Sequence, residues 1–423
     1  MPKNIVICSD GTGNTWTKQV SNITRLIQSV ELSDRCAQMV FYDQGLGTNS
    51  KLVEKVKAYK CEPGKNREGL GILDVPKKFM SISGLSLVAR GFGLAFGYGL
   101  RDNVKEMYEA LAKNYDGEKD QIFLFGFSRG SFTVRVLAGL IYRCGLPPKS
   151  VANNRVDFET YFSRAYKLYK PHEKDEKEIE KFRADYDYQV RDCDIRFLGI
   201  WDTVKSYGGV IPQSLPHLRH NPIVKKVCHA LALEEHRSWF VNTTWGWLES
   251  DDKNLNFIEP DEPDVRYEEQ QIKEVWFRGF HSDVGGGDKE KNTAEIPLRW
   301  MLREASDLPN ASGLLLNQRG KKIVSKKDPE AAPPTHESRT LGWKISDFIP
   351  RKELDNEHRE PDGGPEKHWN WGPTEKRGLE KFRRNGYLCL HSSVGNSYNL
   401  EKVYCETATF IPKRGWRLAG KEK

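Results

Sequence analysis

The sequence predicts a three-layer α/β fold, a mainly parallel central sheet flanked by helices, on three observations. Five short apolar runs, rich in β-branched and aromatic residues, punctuate the first two thirds of the chain. Each is almost continuously apolar, the pattern of a strand buried on both faces rather than one. Segments of helical periodicity lie between them, and such alternation implies right-handed crossovers between parallel neighbours.

The elements follow in order. NIVIC (4–8) is the first strand, and Val20, Ile23, Ile27 and Val30 trace one face of a helix after it. AQMVFY (37–42) is the second strand. Residues 51–101 then interrupt the pattern, first basic (KLVEKVKAYK), then glycine-rich and apolar (MSISGLSLVARGFGLAFGYGL). Val104, Met107, Tyr108, Leu111 and Tyr115 restore helical spacing ahead of the third strand, QIFLF (121–125). Phe132, Val136, Leu137, Leu140 and Ile141 form the next helical face, and IRFLGIW (195–201) and EVWFRGF (274–280) complete the strands. Residues 306–385 are rich in Pro, Gly and charge and read as surface loops. The expected organisation is a core over 1–305 with a lid-like insertion at about 51–101, and a loop-rich extension, 306–423, packed on it. No internal repeat stands out.

Composition narrows the function classes. The 423 residues are 38% hydrophobic and 30% charged, with a mean hydropathy of −0.67, as in a soluble globular protein. No uncharged apolar run is long enough to span a bilayer. MPKNIVICSDGTGN has one lysine and too short an apolar run for a signal peptide, so a cytoplasmic location is expected. The eight cysteines form no C-x-x-C pair, which argues against a zinc ribbon or a disulfide framework. A net charge of +7 without a basic and aromatic cluster points away from nucleic acid. No cofactor or resident metal is expected.

Open α/β sheets place ligands beyond the carboxyl ends of their strands. The residues after four of the runs are SDGTGN, GFSRGS, DTVKSYGG and HSDVGGG, which offer Asp10, Ser128, Asp202 and His281. Ser128, Asp202 and His281 stand in the order Ser, Asp, His of an α/β-hydrolase triad. A serine hydroxyl is a poor nucleophile at neutral pH and needs a base within hydrogen-bond reach. His281 would take its proton, and Asp202 would hold the imidazole tautomer. Gly126 and Gly130 allow a tight nucleophile elbow. The oxyanion would be met by the backbone N–H of Arg129 and by Gly11 or Thr12 in the first strand–helix turn.

Bland readings compete with each residue taken alone. Ser128 suits a turn, Asp202 a helix N-cap, Asp10 a turn former and His281 a structural role. Their joint placement at successive strand ends favours the catalytic reading. Three alternatives stay open: an oxygen-rich metal site of Asp10, Asp202, His281 and Asp283, a Ser128–Asp283 dyad of the patatin kind, and an inactive hydrolase scaffold that acts as a binding protein. His391, His336 and His229 compete for the base, His391 foremost.

VICSDGTGNTW, YDQGLGT, AFGYGLRDNVKEMYEAL, IFLFGFSRGSFTVRVLAGLI, FLGIWDTV, HALALEEHR, VWFRGFHSDVGGG, LRWMLREA, HESR and LHSSV extend the pattern over residues 6 to about 394. In these stretches the chain resembles an α/β-hydrolase family, a domain of unknown function, that includes the first class of type VI secretion phospholipase effectors. The resemblance implies a carboxylic ester hydrolase acting on phospholipids, with Ser128 as nucleophile, Asp202 as acid and His281 as base. No secretion-fusion module or adaptor segment stands out, so the effector role itself is not implied, and delivery to a target cell stays open as an alternative location. Lys205, Ser206 and Tyr207 after WDTV, and Asp288 after VGGG, depart from that pattern near the acid and base loops. Residues 80–100 are too polar to span a bilayer. They suit either an interfacial lid in peripheral membrane contact or an internal packing segment.

Overall fold

The computed structural model describes residues 2–11, 20–33, 37–43, 99–169, 175–186, 188–204, 218, 221–235, 237, 240, 243–245, 270–287, 292–309 and 312–329. It also describes the backbone of four later strands, β7 (Arg351–Arg359), β8 (Pro365–Asn370), β9 (Ala408–Ile411) and β10 (Gly415–Leu418), which pair antiparallel as β7–β8 and β9–β10. The lid-like insertion falls almost wholly outside the described residues.

Six strands form the central sheet: β1 (Asn4–Ser9), β2 (Gln38–Asp43), β3 (Gln121–Phe127), β4 (Ile195–Trp201), β5 (Lys226–Ala232) and β6 (Gln271–Phe277). Their order is β2-β1-β3-β4-β5-β6, and every pairing is parallel. Strands were expected at the first four and the last of these positions. Lys226–Ala232 is an addition: Lys226 and His229 break its apolar run, yet all seven residues are buried. The last strand also begins earlier than EVWFRGF, because β6 takes in Gln271, Ile272 and Lys273 and ends at Phe277.

The described helices are α1 (Asn22–Ile27), α2 (Leu100–Asn114), α3 (Arg129–Cys144), α4 (Lys149–Asn153), α5 (Arg155–Tyr169), α6 (Asp175–Ala184), α7 (His281–Gly285), α8 (Asn292–Ser306) and α9 (Gln318–Val324). Side chains alternate across each strand, so the sheet supplies two separate apolar faces. Ile5, Ile7, Ile122, Leu124, Leu198 and Ile200 pack against α2, α3 and α5, through residues such as Leu111, Leu137 and Phe162. Val6, Cys8, Phe123, Phe125, Phe197 and Trp201 pack against α1 and α8, through Ile23, Leu26, Met301 and Leu302. On that second face Phe125 packs between Phe197 and Trp201 with the rings tilted, centroids 5.6 and 6.3 Å away. Three layers result, as the apolar runs require. Within the stretch read as loops, α9 forms, and Leu314 and Ile323 join the second face.

Strand order reverses at β1. The chain steps from β1 to β2 on one side, then returns to place β3 on the other. A crevice opens at such a switch point beyond the carboxyl ends of the two strands. The residues there are Ser9 at the end of β1, Asp10 and Gly11 after it, and Ser128 after β3. Among the described residues no helix is long and apolar enough to cross a membrane, and Cys8, Cys144, Cys193 and Cys228 are buried.

Candidate active site

Ser128 occupies a sharp turn between β3 and α3, at φ 58° and ψ −119°. A non-glycine residue held in so sparsely populated a region costs on the order of 1–3 kcal/mol, which the surrounding structure must offset. Two glycines make the turn possible. A Cβ on Gly126 would lie 2.5 Å from Ser131 Cα, and one on Gly130 would lie 2.1 Å from the Ser9 carbonyl oxygen. Both obstacles are backbone, so neither can yield. The turn is also tied to its neighbour: the Trp201 carbonyl accepts from the Ser128 N–H (3.0 Å) and from the Ser131 hydroxyl (3.0 Å).

Trp201 ends β4, and the next residue is Asp202, again at positive φ (37°). The Asp202 N–H donates to the Ala230 carbonyl (2.7 Å), and its Oδ1 accepts from the Ala232 N–H (3.0 Å). The carboxylate is thereby anchored to β5 and turned across it. Its Oδ2 meets His281 Nδ1 at 2.6 Å. His281 opens α7, and its backbone N–H donates to Glu235 Oε2 (3.2 Å). Phe127, which precedes Ser128, packs on the imidazole at 4.7 Å between centroids, and Phe240 meets it edge-on at 4.8 Å. The Arg237 guanidinium covers Phe240 at 3.6 Å and clasps Glu235 through Nε (3.0 Å) and Nη2 (2.9 Å). Aromatic rings and a buried ion pair therefore fix the imidazole plane.

Burial holds the His281 pKa below 6.5, against the opposing pull of the Asp202 hydrogen bond and charge. The ring is thus neutral at physiological pH, with Nδ1–H directed at Asp202 and Nε2 left as the basic nitrogen. The described hydrogen bonds join His281 to Asp202 and Glu235 and do not include one to Ser128.

Other residues singled out in the sequence take various places. Arg129 is the first residue of α3, where N–H groups have no acceptor within the helix, and burial lowers its guanidinium to about 10. The Gly11 N–H donates to Asp10 Oδ1 (2.7 Å). Asp10 Oδ2 accepts from Ser21 Oγ (2.7 Å) and Tyr42 Oη (3.0 Å), so this carboxylate braces the turn after β1. Asp283 Oδ2 accepts from the Phe280 N–H (3.0 Å) and closes the first turn of α7. Those donors occupy the carboxylates of the metal-site alternative, and among the described residues no group of three or more His, Cys, Asp or Glu could hold a metal ion. His229 lies fully buried in β5 with Glu274 on Nδ1, which removes it as a competing base. Thr12, His336, His391, Lys205, Ser206, Tyr207 and Asp288 lie outside the described residues. Sequence reasoning missed Glu235 and Arg237, although HALALEEHR holds both.

A parallel sheet with a strained, glycine-flanked serine after β3 and an Asp–His pair gathered from two further strand ends defines a protein of α/β-hydrolase architecture. The chain belongs to the family described as T6SS, phospholipase effector Tle1-like, catalytic domain, whose model matches residues 3–304. It is 29% identical over 250 residues to the uncharacterized protein YEL023C of Saccharomyces cerevisiae, a match covering 56% of this chain and 32% of that protein. Two solved structures are similar at 17% identity. One is an uncharacterized protein from Pseudomonas aeruginosa, with a TM-score of 0.37, covering 76% of this chain and 48% of that one. The other is the Tle1 effector bound to the VgrG spike of the type 6 secretion system, with a TM-score of 0.32, covering 68% and 52%. The chain spans about a third of the curated relative's length and about half of each solved chain.

Proposed function

We propose that the protein hydrolyses carboxylic esters, with phospholipids as the substrate class, through Ser128, Asp202 and His281. The observation that carries this reading is the buried 2.6 Å contact of Asp202 with His281, beside a serine held at φ 58°. Ser128 Oγ attacks the ester carbonyl carbon while His281 Nε2 takes its proton, and Asp202 stabilises the imidazolium that forms. The tetrahedral oxyanion is met by the Arg129 N–H at the start of α3 and by the Thr12 N–H in the turn after β1, because the Gly11 N–H expected as the other candidate is taken by Asp10 Oδ1. Collapse breaks the bond to the leaving alkoxide, which takes the proton from His281. Water, activated by the same nitrogen, then releases the acid and restores Ser128.

Family membership supports the phospholipid assignment. Residues 80–100 belong to the proposal as a peripheral membrane contact, and so does action in a target cell, which membership of an effector family supports. The test is a panel of phospholipid vesicles and short-chain soluble esters, run with wild type and Ser128→Ala. The expected result is release of fatty acid from vesicles by wild type, none by Ser128→Ala, and a fluorophosphonate adduct on Ser128. Turnover by Ser128→Ala, or a wild type that takes no adduct, defeats the serine mechanism. Turnover of soluble esters alone defeats the phospholipid assignment.

A further inference from the structure

HALALEEHR begins with a residue that the hydrolytic cycle does not use. His229 lies in the middle of β5, fully buried, as is Glu274 on the adjacent β6. Nδ1 of His229 is 2.7 Å from Glu274 Oε1. On the far side of the ring, Nε2 lies 3.3 Å from the backbone nitrogen of Thr203 and 3.3 Å from its Oγ1. A backbone N–H can only donate, so Nε2 must carry a lone pair, and the ring proton sits on Nδ1 facing Glu274. An imidazolium would set Nε2–H against Thr203 N–H, so the ring is neutral.

A buried guanidinium also lies beside the ring. Arg135, fully buried on α3, brings Nη2 to 3.4 Å from His229 Nδ1 and lies over the Trp245 ring at 5.4 Å. The carboxylate of Glu274 is the nearer partner of Nδ1, at 2.7 Å, and accepts its N–H. Arg135 Nη1 donates to the Leu218 carbonyl (3.1 Å), while Glu274 Oε1 accepts the Trp245 N–H (2.6 Å). Burying a carboxylate and a guanidinium is tolerable only where each has polar partners, and here both meet His229. The cluster ties the elbow helix α3 to β5 and β6 at the point where the acid loop leaves β4.

Thr203 follows Asp202, and its nitrogen is the atom that defines ψ of Asp202. The preceding torsion, φ 37°, is in the left-handed region, which is uncommon for a residue with a side chain even though aspartate enters it more readily than most. The Ala230 carbonyl and Ala232 N–H restrain Asp202 from one side. His229 restrains the next peptide from the other. We propose that His229 is a positioning residue: with its tautomer set by Glu274, its Nε2 captures Thr203 N–H and fixes the torsion that aims Asp202 at His281. This rests on the Ser128–Asp202–His281 reading and places a second histidine–carboxylate pair behind the first.

The paired substitutions His229→Gln and His229→Asn separate positioning from packing. Glutamine can present an acceptor near the place of Nε2, whereas asparagine reaches only the place of Nδ1 and leaves Thr203 N–H unmet. With a soluble ester, and rates expressed per Ser128 labelled by fluorophosphonate at the endpoint, His229→Asn lowers kcat on the order of 10²-fold, the scale of a small misplacement. KM stays within about twofold, and His229→Gln keeps kcat within about threefold of wild type. Nitrogen-15 spectra of histidine-labelled wild type give a readout independent of activity and of variant folding, with His229 in the neutral Nδ1–H form. Equal kcat in the two variants, or a protonated Nε2, overturns the proposal. An inactive Ser128→Ala beside a fully active His229→Asn sinks the positioning role alone, and an active Ser128→Ala sinks the reading beneath it.

Discussion

His281 Nδ1 stands 2.6 Å from Asp202 Oδ2, with both side chains shut away from solvent. The pair joins two strand ends across β5, and the same aspartate is bonded to β5 through Ala230 and Ala232. Its geometry is therefore set by the sheet and not by a loop. A carboxylate so placed does two things: it selects the tautomer that leaves Nε2 basic, and it offsets part of the desolvation that opposes a charged ring.

Asp202→Asn tests the first role. The amide can present its N–H to Nδ1 and so turn the imidazole to the tautomer with Nε2 protonated, which cannot accept the serine proton. On the scale of such substitutions in serine hydrolases, kcat falls by about 10⁴-fold while the fold persists. Steady-state kinetics with circular dichroism checks both halves. A variant within about tenfold of wild type would show that Asp202 does not orient the base.

The second role sets the pH response. Burial outweighs Asp202 and lowers the His281 pKa beneath 6.5, so the acid limb of kcat/KM lies below pH 6.5. Stability carries the same sign. Between the folded and unfolded pKa values the unfolded chain binds more protons, so the His281 contribution is fully present above pH 6.5 and is lost as pH falls through that window. Urea denaturation of wild type and His281→Gln at about pH 5 and about pH 8 measures it, with the difference in stability between the two proteins shrinking on the acid side. A difference that grows on the acid side contradicts the burial argument.

Gly126→Ala and Gly130→Ala probe the elbow. Each new methyl would strike backbone, at Ser131 in the first case and at Ser9 and Asp10 in the second. Overpacking of this kind costs typically about 1–3 kcal/mol, and relief can come only by moving β3, α3 or the end of β1. Both variants are expected to lose thermal stability and, in the folded fraction, fluorophosphonate labelling of Ser128. Normal labelling kinetics in either one would mean that the elbow tolerates a wider turn.

Much of this was legible in the chain. β1, β3 and β4 announced themselves because strands buried on both faces leave continuous apolar runs, and Ser128, Asp202 and His281 were found by reading the residues after such runs. β5 escaped because Lys226 and His229 interrupt it, and their burial depends on partners from elsewhere in the chain: Glu304 for Lys226, and Glu274 with Thr203 for His229. The helix α5 carried a readable face, Phe158, Tyr161, Phe162, Ala165 and Tyr169, which sequence reasoning passed over. The support of His281 by Glu235 and Arg237 depends on how the end of β5 meets α7. Spacing along one segment contains no trace of that contact.

Asp10 provides the last test, because the sequence allowed it to be a turn former, a metal ligand or part of the oxyanion turn. Its two oxygens accept from Gly11 N–H, Ser21 Oγ and Tyr42 Oη, and Tyr42 has its phenol pushed up by burial and by this carboxylate. A cation needs the lone pairs that these donors occupy. Chelator is therefore expected to leave ester hydrolysis unchanged, while Asp10→Ala strands buried donors at about 1–3 kcal/mol for each that finds no other partner. Because the Ser9 and Asp10 carbonyls abut Gly130 of the elbow, the same substitution lowers kcat as well as Tm, and Asp10→Asn, which keeps an acceptor, is milder on both counts. Hydrolysis abolished by chelator and restored by a divalent cation would reinstate the metal reading and reassign Asp10 as a ligand.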